Sequence, residues 1–201
     1  MRFTFTLGLT AALLVSAATA QAQGISGGVR AGVNLANLSF SSETEVTDAK
    51  NLTGFVAGLF VTVPVNGFVA FQPEVLFSMQ GTRFTDAGES AKIKIDYVQT
   101  PLLLRFKPGA KSPIGVLVGP TLGFKNSAKI EIPGAPVGFS DGFEDDIKGF
   151  DLGLVTGVAV DLGPLVLDGR YTWGLTNIAK DSEDPGTAKN RVFSATIGIR
   201  F

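Results

Sequence analysis

From about residue 25 to the C terminus, apolar and polar residues alternate with period two through eight segments, and none sustains a helical period. The segments lie near 25–38, 52–64, 67–80, 93–107, 113–125, 148–161, 164–177 and 190–201. In the last, Phe193, Ala195, Ile197, Ile199 and Phe201 share one face, and Val192, Ser194, Thr196, Gly198 and Arg200 share the other. The seventh sets Leu165, Leu167, Tyr171, Trp173 and Leu175 against Asp168, Arg170, Thr172 and Thr176, and the first sets Val29, Ala31, Val33 and Leu35 against Arg30, Gly32 and Asn34. The third opposes Val69, Phe71, Val75, Phe77 and Met79 to Gln72, Glu74, Ser78 and Gln80. The sixth opposes Phe150, Leu152, Leu154, Val158 and Val160 to Asp151, Gly153, Gly157 and Asp161. Every such strand must place its two faces in two different environments.

The connections alternate as well. Segments 39–51, 81–92, 126–147 and 178–189 are long, polar and acidic, whereas Val65-Asn66-Gly67, Lys107 to Pro113 and Leu162-Gly163-Pro164 are short and rich in turn formers. That rhythm predicts an all-β, eight-stranded, antiparallel up-and-down barrel with loops at one end and tight turns at the other. Eight strands place both chain ends on the turn side.

A soluble barrel of this kind turns its apolar face inward, and a membrane barrel turns it outward. Three features select the membrane barrel. The less apolar faces carry many glycines, including Gly28, Gly32, Gly54, Gly58, Gly115, Gly119, Gly123, Gly153 and Gly157, and small residues suit a narrow interior. Those faces hold few of the Lys and Glu that a wet surface uses freely. Of 18 acidic residues, 13 fall in the long loops, leaving Glu74, Asp96, Asp151, Asp161 and Asp168 to the strands. The fourth segment fits least well, because Ile93, Ile95 and Tyr97 share one parity and Val98, Leu102, Leu104 and Phe106 the other. A β-bulge near 96–98, or a polar extension of 92–96 beyond the membrane, would each reconcile it.

Residues 1–22 read as a secretory signal peptide: Met1-Arg2 is the positive start, Leu7 to Val15 the apolar core, and cleavage falls after Ala20 or Ala22. Residues 23–201 then form the barrel domain. After that peptide no run reaches the roughly 18 apolar residues of a membrane helix.

With these features the chain resembles the small outer-membrane β-barrels of Bacteroidetes-type bacteria, the PorT-like barrels, and more remotely the eight-stranded OmpA/OmpX-type barrels. The resemblance rests on Gly27-Gly28-Val29-Arg30-Ala31-Gly32-Val33-Asn34, on Phe71-Gln72-Pro73-Glu74-Val75-Leu76-Phe77, on Tyr97 to Arg105 with Pro101-Leu102-Leu103-Leu104, and on the terminal Phe201. It implies insertion in the cell outer membrane of a Gram-negative envelope. It also implies that Phe201 acts as the signal read by the outer-membrane insertion machinery.

The sequence has no His and no Cys, which removes Ser/His/Asp and Cys/His nucleophilic sites and thiolate or imidazole metal sites. Outer-membrane enzymes of the omptin-like and lipid A-modifying kinds depend on His. Formal charge is −1 with no Lys/Arg run, so nothing marks a nucleic-acid partner. Glu144, Asp145 and Asp146, or Asp181, Glu183 and Asp184, offer oxygen ligands for Ca²⁺ but lack EF-hand spacing, and solvated acidic loops are the simpler reading. The expectation is a non-enzymatic barrel without catalytic residues, metal or cofactor. Its partners are outer-membrane lipid and, during assembly, the insertion machinery, and any further protein partner meets its acidic loops. The alternative is a narrow channel or transporter for ions or small solutes.

Parity turns Arg30, Arg105, Arg170 and Arg200 inward together with Glu74, Asp151, Asp161 and Asp168, four charges of each sign. Paired in a narrow lumen they would plug it; at the mouths, in water, they would contribute little. Pro73 and Pro101 suggest bulges or membrane-boundary positions, and Tyr97, Tyr171 and Trp173 an interfacial aromatic girdle.

Overall fold

A computed structural model describes residues 24–41, 49–86, 89–131, 147–178 and 187–201. The expected signal peptide lies outside the described residues. Eight strands follow in order: β1 (Ser26–Ser41), β2 (Ala49–Pro64), β3 (Val69–Asp86), β4 (Glu89–Phe106), β5 (Ile114–Glu131), β6 (Phe150–Leu162), β7 (Leu165–Gly174) and β8 (Thr187–Arg200). Each strand pairs antiparallel with its sequence neighbours, and β8 closes on β1 from Gly28↔Arg200 to Ser41↔Thr187. A closed antiparallel barrel has no free edge and satisfies its backbone internally, as a hydrocarbon surrounding demands.

At one end the connections are tight. Asn66 Oδ1 accepts from the Phe68 and Val69 amides at 2.8 and 2.9 Å, which fixes the β2–β3 turn. Gly163 adopts a φ of 66° in the β6–β7 turn, a conformation that glycine takes without steric cost. Here too Gly27 and Phe201 exchange backbone hydrogen bonds of 3.2 and 2.9 Å.

At the other end β3, β4 and β5 run well past the barrel wall. Eighteen residues at about 3.3 Å each span roughly 59 Å, against a hydrocarbon core of roughly 30 Å. The expected loop 81–92 is therefore largely strand, paired from Gly81↔Lys94 to Asp86↔Glu89. Residues 126–131 likewise continue β5 against β4, with Lys92 opposite Glu131. One side of these extensions is buried at Gln80, Thr82, Ile95 and Ala128, but its residues are mixed in polarity, so the ladder continues after the hydrophobic alternation has stopped.

The fourth strand keeps one parity throughout. Ile95, Tyr97, Leu103 and Arg105 are all buried, and Val98, Leu104 and Phe106 are exposed. Polar extension is present, and the register does shift at Asp96/Tyr97, but the additional residue is Asn126 of β5, because Asp96 faces Ser127 and Tyr97 faces Lys125. Tyr97 is thus interior and not part of a girdle. Tyr171 and Trp173 pack edge to face at 4.6 Å, with Trp173 exposed on the outer wall. Pro73 and Pro101 cause no shift: the β3–β4 register is the same at Pro73↔Leu102 and Leu76↔Gln99.

The two faces separate as in a membrane barrel. Leu59, Val75, Val158, Phe193, Ile197 and Ile199 are exposed on the outer wall, while Arg30, Asn34, Gln72, Glu74, Arg105, Asp168 and Arg170 are buried inside.

Candidate functional site

The barrel interior holds the charged side chains. Arg30 comes from β1, Glu74 from β3, and Asp168 and Arg170 from β7; each faces inward because it shares parity with its strand's buried residues. Arg170 grips Glu74 with two nitrogens, at 2.6 and 2.9 Å, and Asp168 through Nε at 2.7 Å. Arg30 closes the circuit, 2.5 Å from Asp168 and 3.4 Å from Glu74. Two guanidiniums and two carboxylates alternate in a neutral ring, every member nearly inaccessible to water. Gln72 donates to Glu74 at 2.7 Å, and Arg30 lies over the Phe60 ring at 4.4 Å. Glycines make the space: a Cβ on Gly28 would meet the Phe60 ring at 2.4 Å, and one on Gly157 would meet the Gly169 carbonyl at 2.5 Å.

The other four charges stand apart from this ring. At the turn end, Asp161 faces Arg105 at 2.9 Å, Lys107 at 3.3 Å and Arg200 at 3.4 Å. Arg105 is fully buried there beside Gly115, where a Cβ would lie 2.7 Å from its Nε. Asp151 sits towards the loop end with no ion pair among the described residues, accepting from Thr176 at 2.5 Å and from Asn190 at 2.7 Å. Asn190 also approaches the Tyr97 hydroxyl at 3.3 Å. Phe201 is exposed at the turn end.

Sequence reasoning passes over two further features. On the inner wall Asn34 bridges Ser78 of β3 at 2.9 Å and Ser194 of the adjacent β8 at 2.7 Å, and its parity beside Arg30 and Gly32 carries that signal. The second is an apolar cap at the loop end: Ile147 and Ile178 turn inward onto Leu38, Ile95, Tyr97, Ala128 and Ala188. Backbone bonds Lys148 N to Ile178 O (2.7 Å) and Ile178 N to Ala188 O (2.9 Å) hold the two loop segments in place. Nothing in the alternation announces an isoleucine beyond a strand end as a core residue.

Among the described residues no cluster of three or more potential metal ligands forms. Glu144, Asp145, Asp146, Asp181, Glu183 and Asp184 lie outside the described residues.

The outer membrane protein beta-barrel domain family matches residues 19–180. Among solved structures, Neisserial surface protein A is similar at 17% identity, covering 87% of this chain and 97% of that one, with a TM-score of 0.50. OprG from Pseudomonas aeruginosa (12% identity, 88% and 95% covered, TM-score 0.46) and Ail of Yersinia pestis (14%, 88% and 98%, 0.45) also match. No curated protein matches the sequence. A closed eight-stranded barrel with an apolar outer wall, matched over most of its length by this family, belongs to the outer membrane protein beta-barrel domain family and resides in the cell outer membrane.

Proposed function

We propose that this protein is a non-enzymatic, non-conducting barrel that serves the envelope structurally or binds a partner through its acidic loops, which face the cell exterior. The observation that carries this reading is the filled lumen. The neutral ring of Arg30, Glu74, Asp168 and Arg170 occupies the barrel interior, and the apolar cap over Ile147 and Ile178 closes its loop end. Eight strands enclose space for little more than side chains, so a packed interior leaves no path for solutes. The absence of His and Cys supports a role without nucleophilic or metal chemistry.

Export through the signal peptide of residues 1–22 and recognition of Phe201 by the insertion machinery complete the proposal. Planar-bilayer recording of the refolded barrel tests it. No steady current is expected; steady open currents would overturn the plug and favour a narrow channel for ions or small solutes.

A further inference from the structure

The charge balance of the interior is uneven along its axis. The buried ring is neutral, two against two, and Asp151 is held separately by Thr176 and Asn190. At the turn end three cations, Arg105, Lys107 and Arg200, crowd around the single carboxylate of Asp161. Nε of Arg105 has no hydrogen-bond partner among the described residues although the side chain is buried.

A cavity of about 380 Å³ opens at this mouth, and Arg105, Lys107 and Arg200 all line it. Asp161 is not part of that lining, so the side chains facing the cavity are positive and their one counter-charge lies behind them. Ser26, Thr62 and Asn66 add polar groups to the wall. Lys107 and Arg200 keep 27% and 23% of their side-chain surface open, so a ligand can reach them.

We propose that the turn-end mouth of the barrel is a binding site for a phosphate group, held by Arg105, Lys107 and Arg200. Clustered cations in a recess of low dielectric attract a compact anion, and guanidinium groups match phosphate oxygens in geometry as well as charge. Three cations against one carboxylate leave two positive charges, which a phosphate monoester neutralises. The cavity exceeds a bare ion, so it admits a phosphate carried on a larger molecule, either a lipid headgroup reaching over the rim or a soluble phosphate compound.

Amide NMR of the refolded barrel in zwitterionic micelles, titrated with inorganic phosphate against chloride at constant ionic strength, tests the site. Saturable shifts at Gly67 to Ala70, which line the cavity, are expected. Lys107→Gln/Arg200→Gln should weaken binding by about tenfold or more, since each removes a charge-assisted contact. Asp161→Asn should tighten it, because the cations lose their competing carboxylate. Both variants are checked for the folded electrophoretic mobility of the parent, and Lys107→Gln alone serves if the double variant fails to fold. In nanodiscs, phosphatidylglycerol that shifts the same amides and blunts the phosphate titration identifies a headgroup as the source. An undiminished titration identifies a soluble phosphate. Shifts that never saturate, binding unchanged in the Lys107 and Arg200 variants, or binding not tightened by Asp161→Asn would each defeat the proposal.

Discussion

Arg170 and Glu74 meet through two parallel hydrogen bonds, and each also has a second partner of opposite charge, so neither can be removed without unbalancing the ring. Glu74→Ala leaves two guanidiniums facing Asp168; Arg170→Ala leaves two carboxylates facing Arg30. Breaking a buried pair from one side costs about 3–5 kcal/mol, because a charge stays buried without compensation. Each single variant is expected to lower the unfolding free energy of the refolded barrel by an amount in that range, read out as a lower denaturant midpoint. The double variant keeps the Arg30–Asp168 pair and restores neutrality, so its loss should fall well short of the sum of the two singles. Equilibrium unfolding of all four proteins checks both statements. Additive losses would show that the four charges do not act as a ring, and unshifted midpoints would remove the plug from the proposed function.

Among the elements, β8 shows the alternation most clearly, with Phe193, Ala195, Ile197 and Ile199 outside and Val192, Thr196 and Gly198 buried. It also seals the barrel against β1, ending where Phe201 and Gly27 exchange backbone bonds. Deleting Phe201 removes only that last pair of bonds and leaves the ladder from Gly28↔Arg200 to Ser41↔Thr187 in place, so a barrel lacking it should still refold in detergent. In cells, deletion of Phe201 is expected to lower the folded, heat-modifiable fraction, because the lost feature is the one proposed as the signal for the insertion machinery. Unchanged cellular assembly would remove that role. The strands that meet lipid are legible in the sequence because hydrocarbon outside and a crowded lumen inside force opposite chemistry onto alternate residues. The extensions of β3, β4 and β5 are not, since their buried side mixes Thr82 with Ile95 and Ala128 and their other side needs no apolar residue beyond the hydrocarbon. Parity likewise places Arg30, Glu74, Asp168 and Arg170 inward, but which of them meet depends on strand tilt and register, which alternation does not contain. The cap is the least legible element, because Ile147 and Ile178 lie outside the regular strands. Ile178 is fully buried, so Ile178→Ala should cost about 2–5 kcal/mol in the same unfolding assay. A loss near zero would mean that the cap does not pack in solution.

For the molecule as a whole, the distribution of charge and chain gives the two ends different roles. The turn end is compact: three short connections, both ends of the barrel domain, and the cationic mouth around Asp161. The opposite end carries the long extensions of β3, β4 and β5 and the connections that hold 13 of the 18 acidic residues. A chain inserted from the periplasm must carry one set of connections across the bilayer. Short turns such as Val65-Asn66-Gly67 and Leu162-Gly163-Pro164 suit the side from which insertion proceeds, with long polar connections beyond the far surface. Protease added to intact cells is therefore expected to cut within residues 126–147 and to spare 66–67 and 162–164. After the outer membrane is permeabilised the turns become reachable from their own side, but the closed ladder and the hydrogen bonds donated to Asn66 Oδ1 still restrain the first of them. Mass mapping of the fragments reads the orientation directly. Cleavage at the turns of intact cells, with 126–147 untouched, would invert the barrel and turn the phosphate-binding mouth towards the exterior.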